Sequence, residues 1–352
     1  MSIIDNDVHQ TYTHHSEVAR YMPMGPFKDR CLESGFGYPG GMYYSVAGGV
    51  RHDAFPDSGP PGSSYELMCE QHLNKYDVRY AVLNGGAMLG INLMSEQDYP
   101  ASLATAYNLW LDAEWLSKDD RFLGSAMIAC QNIDASVQEI KQVSRNPRIK
   151  QILLSAVTPM PIGHRYYRPI LEACADESLI LAFHPGGNQS SGTAPVPTPV
   201  GFPSYYLEWH TLLPTVYMTQ ICSLVAEGVF EALPELKVNF IEGGASWLPS
   251  FMWRFDKNYK ALKSQTPWLV HPPSYYIKRN CFFTTQPREE PEKHSDLETL
   301  YKFGGVENNI LYSSDYPHWD YDTPEFAVRG LSVALKEKIM FKNAEALLGI
   351  KV

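Results

Sequence analysis

Eight short runs of apolar and β-branched residues punctuate the chain, at 2–9, 78–84, 122–129, 149–155, 179–184, 237–242, 281–285 and 310–315. Most are near-continuous rather than alternating, the pattern of a strand covered on both faces in a parallel sheet. The stretches between them carry helical periodicity, as in 101–116, where Leu103, Tyr107, Trp110 and Leu111 share one stripe. Further helices are expected at 133–143, 169–175, 215–233, 248–262, 289–303 and 325–335. Strand alternating with helix eight times predicts parallel βαβ units. The fold class is therefore α/β, a single (β/α)8 TIM-type barrel over residues 1–352 with long rim loops. A doubly wound open sheet would bring a glycine-rich nucleotide turn after its first strand. Here that strand ends in Asp7-Val8-His9-Gln10, and no GxGxxG, Walker or GxSxG pattern occurs.

Two connections exceed ordinary barrel loops. Residues 11–64 include Gly35-Phe36-Gly37-Tyr38-Pro39-Gly40-Gly41-Met42-Tyr43-Tyr44, and residues 185–209 run through Ser190-Ser191-Gly192 and Pro195-Val196-Pro197-Thr198-Pro199. Both follow a strand, which places them on the catalytic rim, and both are read as a cap over a small-molecule substrate.

Composition narrows the class. With 44% hydrophobic and 19% charged residues, the chain can bury a sizeable core. The net charge of −10 is spread along it and basic residues do not cluster, which argues against nucleic acid. No run has the length of a membrane span and the first residues lack a signal-peptide layout, so a cytoplasmic protein is expected. Six scattered cysteines without a CxxC pair read as buried thiols.

Metal-capable side chains fall at the carboxyl ends of the expected strands: Asp7 and His9 on the first, His184 on the fifth, Glu242 on the sixth and Asp315 on the eighth. Residues two apart on a strand share a face, so Asp7 and His9 can point together. Imidazole nitrogen and carboxylate oxygen are the donors a divalent ion such as zinc takes. Each residue alone has an ordinary explanation, such as a loop histidine or a turn-starting aspartate. Their joint placement where barrels carry catalysis favours an ion held by Asp7, His9, His184 and Asp315.

The blocks Asp5-Asn6-Asp7-Val8-His9, Phe183-His184-Pro185-Gly186, Glu242-Gly243-Gly244-Ala245-Ser246-Trp247-Leu248-Pro249 and Ser314-Asp315-Tyr316-Pro317-His318 resemble the amidohydrolase-2 group of the amidohydrolase superfamily. That group includes aminocarboxymuconate-semialdehyde decarboxylase and the resorcylate decarboxylases. The resemblance implies a (β/α)8 barrel, one divalent ion (zinc first, manganese as the alternative) and a homodimer. Two positions depart from the family pattern. The first strand has Asp-x-His where many relatives have His-x-His, so Asp7 binds the ion or a neighbour. The decarboxylases carry a catalytic His before the sixth-strand Gly-Gly, where this chain has Glu242.

His210, in Glu208-Trp209-His210-Thr211, is a candidate for the missing imidazole, or an ordinary surface histidine. His318 is expected to orient Asp315 or its loop, and Arg254 and Asp256 are read as structural. The identity of Glu242 favours a hydrolase, with Asp315 as base on an ion-activated water and Glu242 or His210 protonating the leaving group. The alternative is non-oxidative decarboxylation of a small aromatic or unsaturated acid. A barrel that binds a ligand without turnover is a third reading.

Overall fold

The computed structural model describes residues 1–37, 49–186 and 200–352. Eight parallel strands follow one another in sequence order around one sheet: β1 (Ile3–Val8), β2 (Val78–Leu83), β3 (Phe122–Met127), β4 (Ile149–Ser155), β5 (Ile180–His184), β6 (Val238–Phe240), β7 (Cys281–Thr284) and β8 (Ile310–Leu311). The sheet closes between its last and first strands. Asn6 N–H donates to Tyr312 O at 3.0 Å, Asp315 N–H to Asp7 O at 3.0 Å, and His9 N–H to Tyr316 O at 2.7 Å. The expected barrel is the observed one.

The interior is graded along the strand direction. Ile4, Val82, Leu123, Ile180 and Leu311, from five strands, pack with Ala344 and Leu348 of the last helix as an apolar cluster. Two residues further on, the same faces of β2 and β3 carry polar groups, because the side-chain period of a strand is two. Asn84 Oδ1 accepts from Ser125 Oγ at 2.5 Å and from Gln151 Nε2 at 3.0 Å. These groups are buried and partnered, as buried polar atoms must be. Four residues beyond Ile180 on the same face stands His184. The larger core lies between the strands and the surrounding helices and includes Trp110, Phe183, Tyr217 and Phe240.

Several expected elements are shorter or divided. β6 and β8 are shorter than expected, and beyond them Glu242 and Asp315 both take φ 60°. Left-handed backbone is costly for residues with a Cβ. The helix expected over 215–233 breaks into Pro214–Ala226 and Val229–Ala232 at Gly228, which is left-handed. Residues 289–295 form no helix, and the element begins at Asp296. The last expected helix divides into Pro324–Ala327 and Val333–Glu337, with Gly330 at φ 79° between them. All six cysteines are free thiols, five of them buried.

Of the two long rim segments, Tyr38–Tyr44 of the aromatic glycine stretch and the Ser/Gly- and Pro-rich runs of 187–199 lie outside the described residues. The described part of 11–64 contains the helices Ser16–Ala19 and Pro26–Ser34. It returns to the barrel at Val50, which bridges His318 in antiparallel fashion. Gly62 then passes directly beneath the end of β1: it sits at φ +85°, and a Cβ there would lie 2.6 Å from His9 O. Gly62→Ala should therefore destabilise the protein by about 1–3 kcal/mol, through backbone strain and overpacking. A urea melt with unchanged m-value would register it; an unshifted midpoint would mean that the loop yields freely.

Candidate metal centre

Asp7, His9, His184 and Asp315 meet at the carboxyl end of the barrel, each offering one donor atom within 4.8 Å of the others, and all four are buried. His9 Nε2 lies 2.9 Å from Asp315 Oδ1 and 3.3 Å from Asp7 Oδ1, and His184 Nε2 lies 3.4 Å from Asp7 Oδ2. Both imidazoles are oriented by backbone carbonyls. His9 Nδ1 lies 2.5 Å from Asn84 O and His184 Nδ1 lies 2.6 Å from Pro185 O. A ring that donates from Nδ1 leaves the Nε2 lone pair facing inward, the state a metal ligand needs. His9 Nε2, His184 Nε2 and Asp7 Oδ2 are buried without a hydrogen-bond partner. Orphaned buried donors and acceptors are costly. Two nitrogens and two oxygens converging on one point fit a divalent ion, which would satisfy them all.

The electrostatics agree with that fit. Burial alone would raise Asp7, but His9 and His184 hold its carboxyl below the usual range. Burial would lower His184, and Asp7 and Glu242 instead raise it to about 9. Burial pushes Asp315 well upward, with His318 opposing. Packed this tightly, the carboxylates require compensating positive charge, which protons or a cation can provide.

The surrounding residues lock the donors. Asn84 Nδ2 donates to Asp7 Oδ1 at 2.8 Å, and thereby ties the amide layer of the interior to the first-strand donor. Asp5 Oδ1 accepts the backbone N–H of both Asp7 and Ser314 at 3.0 Å, while its Oδ2 is 2.7 Å from Nε2 of the buried His72. His318 Nδ1 lies 2.6 Å from Asp315 Oδ1. Gln286 Nε2 donates to Asp315 Oδ2 at 3.1 Å and to Asp320 Oδ2 at 2.8 Å.

A second group adjoins the first. Glu242 Oε2 is 3.1 Å from His184 Nε2, and Glu242 Oε1 is 3.7 Å from His210 Nε2. His210 Nε2 also lies 3.2 Å from Asp320 Oδ2. Burial would lower His210, but Asp320 and Glu242 raise it to about 10, which favours the imidazolium. The sequence left His210 between a catalytic and a surface position; the fold brings it to Glu242. Arg254 is exposed, and Asp256 accepts from Ser274 N–H at 2.9 Å. Both lie away from the cluster on the helix Leu248–Leu262.

Sequence reasoning missed Asp5, His72, Asn84, Gln286 and Asp320. Asn84 and Gln286 stand at or just beyond the carboxyl ends of strands, the criterion that selected the donors, but neutral amides were not weighed by it. His72 and Asp320 carry no local signal that distinguishes them from other rim residues.

Above these groups opens a pocket of about 400 Å³. Thr11, Tyr12, Gly49, Val50, Pro60 and Pro61 line it from the first rim segment, and Pro185, Gly186, Tyr206 and Trp209 from the second. Trp319 and Asp320 complete the wall beside His318. An eight-stranded parallel barrel with buried imidazoles and carboxylates at its carboxyl end defines the class as a barrel enzyme with a metal-binding site.

Residues 6–350 match the amidohydrolase family, and the chain belongs to it. It is 25% identical over 290 residues to a 2-amino-3-carboxymuconate-6-semialdehyde decarboxylase of Dictyostelium discoideum, covering 80% of this chain and 75% of that one. It is 23% identical over 320 residues to a gamma-resorcylate decarboxylase of Rhizobium radiobacter, covering 82% and 91%. Among solved structures, a dihydroxybenzoic acid decarboxylase from Polaromonas, with bound manganese and the inhibitor 2-nitroresorcinol, superposes with a TM-score of 0.70. Its sequence identity is 16%, over 99% of this chain and 97% of that one. The protein is an enzyme of this superfamily.

His184→Ala should remove most of the bound divalent metal while leaving the far-ultraviolet circular dichroism unchanged, since one rim side chain does not hold the barrel together. Elemental analysis after purification without chelator measures it. Full metal occupancy in the variant would exclude His184 from the donor set.

Proposed function

We propose that this enzyme is a metal-dependent, non-oxidative decarboxylase of a small aromatic or unsaturated carboxylic acid. The observation that carries this reading is the half-buried His210 imidazole, its Nε2 3.7 Å from Glu242 and 3.2 Å from Asp320, next to the four-donor cluster. Glu242 favoured a hydrolase because the sixth strand lacks the imidazole that the resemblance implies for a decarboxylase; His210 brings an imidazole to Glu242 from the helix Tyr206–Thr211. The names of the relatives point the same way.

Asp7, His9, His184 and Asp315 would hold one divalent ion. Zinc was the first expectation, and manganese gains support from the Polaromonas neighbour. Bound there, the ion would supply positive charge for the substrate carboxylate and an adjacent oxygen. His210 delivers a proton from Nε2 to the carbon bearing that carboxylate. The bond between this carbon and the carboxylate breaks, its electron pair restores the unsaturated system, and CO2 leaves. Glu242 and Asp320 keep His210 charged and aimed before transfer and stabilise its reprotonation afterwards. His318 and Gln286 hold Asp315 in place. The described parts of the two rim segments, 11–37, 49–64, 185–186 and 200–209, would form the cap, excluding water from the reacting carbon.

Hydrolysis remains the second reading on one observation: the carboxylate of Glu242, 3.1 Å from His184, stands where it could take a proton from water. Assay of the metal-loaded enzyme for labelled CO2 release from carboxylate-labelled aromatic acids, beside a panel of esters, amides and lactones, separates the two. CO2 release with an inert ester panel is expected; hydrolysis without CO2 would replace this proposal.

Two further outcomes concern His210. His210→Asn should lower turnover by about 10²-fold or more while leaving metal content intact, the usual scale for loss of a general acid. Because the group is protonated below its raised pKa of about 10, turnover should be flat through neutral pH and decline as pH approaches that value. A variant as active as the native enzyme would demote His210 to a structural residue.

A further inference from the structure

We propose that Asn84 is a positioning residue of the metal centre: held by Ser125 and Gln151, its amide occupies Asp7 Oδ1 and makes Asp7 a one-oxygen donor through Oδ2. The inference rests on the four-donor set and is independent of the reaction performed there.

An imidazole offers an ion one lone pair, whereas a carboxylate offers two oxygens. Distance does not choose between those of Asp7. Oδ1 is 3.3 Å from His9 Nε2, and Oδ2 is 3.4 Å from His184 Nε2. Hydrogen bonding does choose. Oδ1 receives Asn84 Nδ2 at 2.8 Å, while Oδ2 is buried with no hydrogen-bond partner. Part of the charge of Oδ1 is drawn into that bond, and Oδ2 keeps its own for the ion. Such partners orient a metal-binding side chain and set its donor strength.

The outcome depends on which end of the Asn84 amide faces Asp7, and both sides of the amide fix it. Nδ2 also donates to Asn6 O at 3.0 Å, and a backbone carbonyl can only accept. On the other side, Asn84 Oδ1 accepts from Ser125 Oγ at 2.5 Å and from Gln151 Nε2 at 3.0 Å. Gln151 Nε2 also donates to Ser125 Oγ at 2.8 Å, which spends both of its hydrogens on this group. Half a turn of the Asn84 amide would set its oxygen against Asn6 O and a metal-binding carboxylate, neither with a hydrogen to give. Asn84, Ser125 and Gln151 are buried, so water does not compete for these bonds. The residue type is equally constrained. Aspartate has no N–H for Asn6 O, and leucine, of similar shape, has none for either acceptor. The main chain of the same residue serves the second first-strand donor, with His9 Nδ1 2.5 Å from Asn84 O. That contact does not depend on the side chain at position 84.

Zinc titration of the metal-free, full-length protein at neutral pH tests this as a double-mutant cycle, without turnover. Asn84→Leu should weaken zinc binding by about tenfold or more, the usual cost of losing such a partner. Asp7→Ala retains His9, His184 and Asp315, and three protein donors are enough to hold a catalytic zinc ion. In that background Asn84→Leu should change the affinity by less than about twofold, because no carboxylate is left to orient. An equal loss in both backgrounds would make Asn84 a support of the barrel alone and overturn the proposal. Native affinity in Asn84→Leu overturns it as well. Where circular dichroism shows that Asn84→Leu does not fold, Ser125→Ala takes its place, since it keeps Asn84 but removes one hold on its oxygen. Its loss should be smaller and should also vanish without Asp7; a loss that persists without Asp7, or none at all, overturns the proposal. A native protein that takes up no zinc overturns the donor set and the role of Asn84 together.

Discussion

The seam between the last strand and the first is the contact on which the site depends. Its hydrogen bonds join Asp315 N–H to Asp7 O and His9 N–H to Tyr316 O, so the groups that close the barrel are the backbone of the residues that carry the donors. Residues more than three hundred positions apart are brought to within 3.0 Å by the same ladder that satisfies the sheet edges. Asp5 reinforces the seam by accepting from both sides of it, and His72 occupies its remaining oxygen. The seam thus sets the relative height of Asp7, His9 and Asp315, while His184 comes from β5 and side-chain and carbonyl contacts orient all four.

Two residues leave the ladder in a conformation that disfavours a side chain. Glu242 and Asp315 both take positive φ, where glycine would be the easy choice. At each, the turn lifts the side chain off the sheet and aims it across the mouth of the barrel, Glu242 toward His184 and His210, Asp315 toward His9 and His318.

The barrel was legible in the sequence because strands buried on both faces have few alternatives to a continuous apolar run, and helices between them show their own period. The convergence of Asp7, His9, His184 and Asp315 was legible because His and Asp at strand ends are uncommon and chemically telling. The reaction was less so. Glu242 read in isolation argued for hydrolysis, since its partner His210 lies 32 positions earlier in a helix whose approach to the sixth strand no local pattern encodes. Asp320 and Gln286 escaped for a related reason. A carboxylate five residues past Asp315 and an amide before a proline look like loop residues until the fold sets them 2.8 Å apart.

The grading of the interior separates two kinds of tolerance to change within a single strand. On the inward face of β2, Val82 belongs to the apolar cluster and Asn84, two residues on, holds Asp7; Ile180 and His184 are related in the same way on β5. Polar groups at the upper end can therefore be exchanged without disturbing the packing below. The chemistry of such a barrel can drift over long times while its architecture stands still, so low overall identity among relatives measures neither loss of fold nor retention of substrate.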